Sequence, residues 1–281
     1  MERSNDIQLL PLMPRLINFH PRRSSALALS ALPFLLLMLA YLFGSSLRLA
    51  ENPDDKLLPA LGNIFSTIKQ YAFEEDARSG EVLLWLDTFA SLKRIGIALG
   101  ISSVIALSAG LCLGIIPALR ATLGSFVTVI SMIPPLAILP ILFIALGLGE
   151  VSKITLIVIG ISPVMIRDLS QRCMELPAEQ LIKAQTLGAN SWLLVVRVVL
   201  PQILPRLLGA LRLSLSSAWL FLISAEAIAS TEGLGYRIFL VRRYLAMDVI
   251  LPYVLWITLL AFIMDWLLRI ASRKVFPWAE V

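Results

Sequence analysis

The sequence predicts an all-α integral membrane protein with about six spans, and three observations lead there. Hydrophobic residues make up 58% of the 281 residues and charged ones only 15%, with a mean hydropathy of +0.85; soluble domains carry about 25% charged residues. Residues 24–47, 95–119 and 121–149 contain no charge, and each stretch exceeds the roughly 20 residues that cross a hydrocarbon core. The basic residues behind the net charge of +5 gather at span ends. Topology and anionic headgroups account for them there better than nucleic acid does.

Several chemistries drop out early. His20 is the one histidine, and Cys112 and Cys173 are isolated, which leaves no multi-histidine metal site and no disulfide framework. No Gly-x-x-x-x-Gly-Lys-Ser/Thr run occurs, so the chain is expected to hold no cofactor and no ATP site of its own. The first apolar run starts too late and continues too long for a cleavable signal peptide. It reads as an uncleaved span.

Residues 1–24 are expected to form an arm carrying Arg3, Arg15, Arg22 and Arg23, ahead of a transmembrane domain over 25–281. Span one covers 25–47. Residues 48–88 follow as an outer connection with eight acids and four bases, and apolar residues at helical spacing over 57–73 suggest an interfacial helix. Span two covers 91–116, with Lys93 and Arg94 snorkelling at its outer end. Its Gly110-x-x-x-Gly114 permits close helix packing.

Span three, 121–146, contains Met132, Ile133, Pro134, Pro135, Leu136, Ala137 and Pro140. Three prolines this close break the helical ladder, and freed carbonyls are tolerated only against protein or water. The segment is therefore expected inside the bundle, either along a pathway or at a kink that serves packing. Span four, 151–166, is short for a ~30 Å core at 1.5 Å per residue and calls for local thinning of the bilayer or for Lys153 to snorkel. Spans five and six cover 205–224 and 249–268, flanking a second outer connection over 225–247. Both termini then lie inside, although Arg237, Arg242 and Arg243 oppose the positive-inside rule.

Polar residues at span ends need separate accounts. Over 177–188 a short helix is expected, with Glu175 and Glu179 at its positive end. Gly188 terminates it, Ser191 caps the next turn, and Pro201 and Pro205 delimit the return to the membrane. Such a helix either enters a groove on another protein or is a solvated loop. Arg212 and Asp265, one or two turns inside their spans, require pairing: with each other, or for Asp265 with Arg269 at i,i+4. Glu226, near Gly233 and Gly235, is either an outer-gate residue or a cap on local backbone.

The pattern resembles the membrane subunit of bacterial ATP-binding-cassette importers of the nitrate/sulfonate/taurine type. Their cytoplasmic signature reads Glu-Ala-Ala, three residues, Gly, nine residues, Ile-x-Leu-Pro. This chain has Ala184, Gly188, Val198, Leu200 and Pro201 at the matching places, with Ile182 for the glutamate and Lys183 for the first alanine. From about Thr88 to Trp278 further matches follow in order: Pro134-Pro135-Leu136-Ala137 with Pro140, Gly147-Leu-Gly-Glu150, Leu211-Arg212, Ala218-Trp219, Glu226, Gly233-Leu-Gly-Tyr236, Asp265, Arg269 and Pro277-Trp278.

The resemblance implies a type-I importer permease in the bacterial inner membrane, multi-pass, with both termini cytoplasmic. Two copies would form the pathway among membrane lipids, and a periplasmic or lipid-anchored binding protein would deliver solute. Two ATPase subunits, which bind the ATP and Mg, would dock on a cytoplasmic coupling segment over 175–203. Leu187, Gly188 and Ala189 would sit at that surface, with Lys183 at its rim and Ala184 and Pro201 framing it. The proline-rich third span would line the pathway, and Glu226 would close the outer gate or position the binding protein. The implied cargo is a small polar solute: nitrate-, sulfonate- or taurine-like, or a nitrogen-rich organic compound. A non-conducting assembly subunit is the alternative.

Overall fold

A computed structural model describes residues 23–53, 55–76 and 80–279; His20 and the arginines Arg3, Arg15 and Arg22 of the expected arm lie outside them. The described residues form eleven α-helices and no strand, in two compact units, residues 1–60 and 61–281.

In the first unit α1 (Arg23–Glu51) presents leucines and phenylalanines outward along its length, as a helix solvated by lipid does. The chain then doubles back on the helix end. Arg48 pairs with Asp55, the Tyr41 hydroxyl donates to the Pro59 carbonyl at 2.7 Å, and Ser45 Oγ donates to that of Leu58 at 3.0 Å.

The second unit opens with α2 (Leu61–Phe73), inside the segment expected to be an interfacial helix. It docks on α11 (Met247–Val275), where Thr67 Oγ1 donates to Asp248 at 3.1 Å and Tyr71 meets Tyr253 edge-on at 6.0 Å. The most extensive packing joins α3 (Leu83–Ile115) to α6 (Glu150–Met174). Ascending pairs Arg94–Glu150, Gly110–Leu169 and Gly114–Cys173 show that these two helices run parallel. A β-carbon on Gly110 would sit 2.8 Å from that of Leu169, and one on Gly114 would overlap Cys173. The glycines therefore set the interhelix distance.

Between α3 and α6 lie α4 (Pro117–Ile130) and α5 (Pro135–Leu146), bent by 92° at the break between them. Pro117 starts α4 where its missing N–H costs no bond. Pro134 and Pro135 start α5 for the same reason, after a turn through Ser131, Met132 and Ile133.

α7 (Ala178–Thr186), α8 (Ser191–Leu194) and a π-helical turn (Val195–Val199) lead into α9 (Leu200–Ala229). α9 runs antiparallel to α6, as the Lys153–Ser230 and Gly160–Phe221 contacts show. α10 (Leu234–Val241) and a 3₁₀ turn (Arg242–Tyr244) complete the unit before α11. Ile95, Ala98, Leu156, Ile161, Leu169, Ala218 and Leu222 form the centre of its core.

By length and composition four described helices can cross a membrane, α1, α3, α11 and the continuous 39-residue run Ser191–Ala229, or five if the bent pair counts as one. The fourth span differs from the expectation. α6 is not a short helix over 151–166 but has 25 residues, about 37 Å at 1.5 Å per residue. Its ends carry Glu150, Lys153, Arg167, Asp168 and Arg172; its middle is buried by α3 and α9 rather than by lipid. The other boundaries shift the same way. α3 begins within the expected outer connection, α9 extends beyond 205–224 at both ends, and Pro205 lies inside it.

Candidate functional site

The expected coupling segment is a short helix with a closed C-terminus. Pro177 precedes α7, and Glu179 stands in its first turn. At the other end the Gly188 N–H bonds the Gln185 carbonyl at 2.9 Å and the Ala189 N–H bonds that of Ala184 at 3.0 Å. This is a Schellman closure, and it needs a left-handed residue at its turn. Gly188 supplies it, with φ +86°. The next helix is capped by Asn190 rather than Ser191: Asn190 Oδ1 accepts from the Leu193 N–H at 2.8 Å.

Leu187 is the most prominent residue of the segment, 88% exposed, and Lys183 and Gly188 are exposed beside it. Ala184 and Ala189 are half-buried, and Ala184 packs on the core. Pro201 stands in the first turn of α9, directly after the π turn, in which the Leu200 N–H reaches back to Val195. A proline ring clashes with the carbonyl four residues earlier, and the widened turn gives it room. α7 is thus a short helix, closed at its C-terminus, that projects Leu187 from the main helical body.

The proline corner is exposed in the single chain, not enclosed as expected. Met132 is 69% exposed; Ile133, Pro134, Leu136, Ala137 and Pro140 are exposed too, and Pro135 is half-buried. α4 has no buried residue. α5 buries Leu139 and Leu142 against the bundle, and Arg167 of α6 donates to Ser131 Oγ at 2.9 Å. The pair thus seats on the bundle through α5 and leaves most of the apolar surface around its bend uncovered in the single chain.

At the α7 end of the bundle Arg212 pairs with Asp265, Nε–Oδ1 2.7 Å and Nη2–Oδ2 3.2 Å, and Arg269 adds a contact to Oδ2 at 3.4 Å. Both pairings open in the sequence occur together. A bidentate guanidinium–carboxylate pair satisfies two charges held between α9 and α11.

The opposite end holds a buried polar layer. Glu226 is fully buried, accepting from Arg94 Nη1 at 2.8 Å, Ser91 Oγ at 2.8 Å and the Gly235 N–H at 2.9 Å. Arg94, 2% exposed, also donates to Glu150 at 2.6 Å and to the Glu232 carbonyl at 2.9 Å. Lys153, 3% exposed, donates to Glu150 at 2.8 Å and Ser230 Oγ at 3.1 Å. Asp87 accepts from the Gly233 N–H, from Arg237 Nε at 2.8 Å and from the Tyr253 hydroxyl at 3.2 Å. Neither Arg94 nor Lys153 snorkels. Arg237, at odds with the charge rule in sequence, is accounted for by Asp87.

Gly233 (φ +122°) and Gly235 lay the start of α10 directly over Glu226; a β-carbon on Gly233 would stand 2.6 Å from its carboxylate. Both carboxylate oxygens are engaged within the protein. The geometry thus makes Glu226 the keystone of a clamp joining α3, α6, α9 and α10. Sequence reasoning missed Asp87, Ser91, Glu150 and Arg237 as parts of this layer. The available signal was Ser91 and Arg94 one helical turn apart on a buried face. Among the described residues no group of three or more His, Cys, Asp or Glu could hold a metal.

Comparison with known proteins now bears on this architecture. Residues 102–277 match the family described as binding-protein-dependent transport system inner membrane component. The chain is 35% identical to the taurine transport system permease protein TauC of Escherichia coli (strain K12) over 199 residues, 70% of this chain and 72% of that protein. It is 28% identical to the putative aliphatic sulfonates transport permease protein SsuC of Bacillus subtilis (strain 168), covering 73% and 74%. The fold matches a chain of the MetNI methionine ABC transporter in an inward-facing conformation, with TM-score 0.59, 22% identity, and 72% of this chain and 98% of that one covered. The chain therefore belongs to the binding-protein-dependent transport system inner membrane component family, and it is a membrane-embedded permease subunit of an ATP-binding-cassette transport system.

Proposed function

We propose that two copies of this chain form the pathway of an importer for a small polar solute of the taurine, sulfonate or bicarbonate kind. The named relatives support that cargo class: they include permeases for taurine, for aliphatic sulfonates (putatively) and, at 26% identity, for bicarbonate. Two partner ATPases, holding the ATP and Mg, dock on α7 at Leu187, Gly188 and Ala189, with Lys183 at the rim. This places α7 and both termini in the cytoplasm of a bacterial inner membrane. The buried layer around Glu226 then lies at the outer face, where a binding protein delivers solute.

The reading rests on the exposed α4–α5 corner. A second copy completes the wall that one copy leaves open, and ATP-driven movement of α7 alternates access. Mass measurement of the complex in lipid is expected to give two copies of this chain with two ATPases, and reconstituted vesicles to take up taurine or a sulfonate only with ATP and binding protein. A fully active complex with a single copy and no second permease would overturn it.

The corner itself can be probed. Single cysteines at Met132, Ile133, Leu136 and Ala137 are expected to react with a water-borne thiol reagent in one state of the transport cycle and to be protected in the other, by a factor of ten or more. Equal protection in both states, with transport intact, would reduce Pro134, Pro135 and Pro140 to packing.

A further inference from the structure

We propose that the apolar slot between α2, α3 and α11 binds one acyl chain of a membrane phospholipid. The slot has a volume of about 200 Å³ and is lined by Ile68 and Tyr71 of α2, Leu84 of α3, and Pro252, Leu255 and Leu259 of α11. Polar groups along it are turned to partners in the protein. Thr67 donates to Asp248, the Tyr253 hydroxyl to Asp87, and Trp256 Nε1 to Thr88 at 2.9 Å. A polar solute would find little to bond there, and a cavity of this kind stays dry and takes apolar ligands.

Three features select an acyl chain as the occupant. The slot opens sideways onto lipid-facing surface: Leu255 and Leu259 are exposed and continue along α11 to exposed Phe262. The solvent at that opening is itself hydrocarbon. The α11 wall runs from Val249 to Leu259, about 15 Å at 1.5 Å per residue, the thickness of one leaflet of a ~30 Å core. Near the Thr67–Asp248 end of the slot α2 exposes Phe65 and Lys69, while Trp85 lies farther down, edge-on to Trp256. An aromatic ring and a cation of this kind mark the headgroup level, and Lys69 is placed to meet a phosphate while the chain fills the slot below. The lipid would fasten α2 to α11 alongside the Thr67–Asp248 bond.

The experiment uses the full-length protein in nanodiscs containing phosphatidylethanolamine with a photoreactive diazirine in one acyl chain. Labelled peptides are then located by mass spectrometry. Labelling is expected to concentrate at least fivefold on Tyr71, Leu84 and Leu255–Leu259 relative to exposed Phe262. An Ile68→Trp variant, which fills the slot, should lose that excess while labelling at Phe262 stays unchanged. Even labelling along every lipid-facing helix would overturn the proposal. So would a photoreactive residue at position 255 that cross-links to residues 27–43, of the same chain or a second copy, in place of lipid. The wild-type pattern alone decides the matter if the tryptophan variant fails to fold.

Discussion

Replacing Glu226 with leucine is expected to destabilise the protein by about 3 kcal/mol, because breaking a buried ion pair leaves its partner charge uncompensated. Arg94 keeps Glu150 and Glu232, but it loses the one fully buried carboxylate it touches. The Gly235 N–H loses its acceptor, and the Ser91 hydroxyl, which also accepts from the Leu234 N–H, loses the partner it donates to. Glu226→Gln keeps the shape and an acceptor, and should cost about half as much. Denaturant unfolding in detergent, followed by tryptophan fluorescence, measures both. If the leucine variant unfolds at the wild-type midpoint, the layer is hydrated and the clamp does not exist. A fall in the leucine variant alone would assign the stability to hydrogen bonding by Glu226 rather than to its charge.

The second large effect is expected at Gly188. Its left-handed φ makes any side chain there cost about 1–2 kcal/mol, yet a β-carbon would meet nothing within 4 Å. Strain and bulk can therefore be separated. Gly188→Ala imposes the strain with almost no volume, and should insert, fold and lose only a few-fold in coupled uptake. Gly188→Trp imposes similar strain and projects a large ring from the exposed end of α7. It should reduce ATPase co-purification and uptake at least tenfold. Equal behaviour of the two variants would place the docking surface elsewhere and leave Gly188 as a helix terminator only.

Parts of this molecule that depend on local chemistry were legible in the sequence. Pro134 and Pro135 announced a broken helix because proline removes a donor whatever surrounds it, and α4 and α5 break there, whereas Pro140 lies inside α5 without ending it. Gly188 and Pro177 bounded α7 for similarly local reasons. The size of the bend was not legible, since 92° follows from how α5 seats on α6. Nor was the exposure of the corner in the single chain, which depends on what packs against it and not on the prolines.

The buried layer was hidden for a different reason. Lys153, Glu150 and Arg94 lie near span ends, where a charge on its own is normally solvated. Only the convergence of five elements, with Asp87 and Arg237 separated by 150 residues, turns those ends into an interior. Arg212 and Asp265 were easier, because a charge well inside a span demands a partner.

The parallel seam of α3 and α6 has a mechanical meaning. Two helices held at backbone contact by Gly110 and Gly114, and bolted at the far end through Arg94 and Glu150, behave as a single beam. α7 hangs from one end of that beam by three residues, Glu175 to Pro177. If α7 couples as proposed, a displacement applied to it would reach the Glu226 layer, about 37 Å away, as a tilt of the whole beam. The compliance would then lie outside that seam, at the α4–α5 bend and the π turn that opens α9.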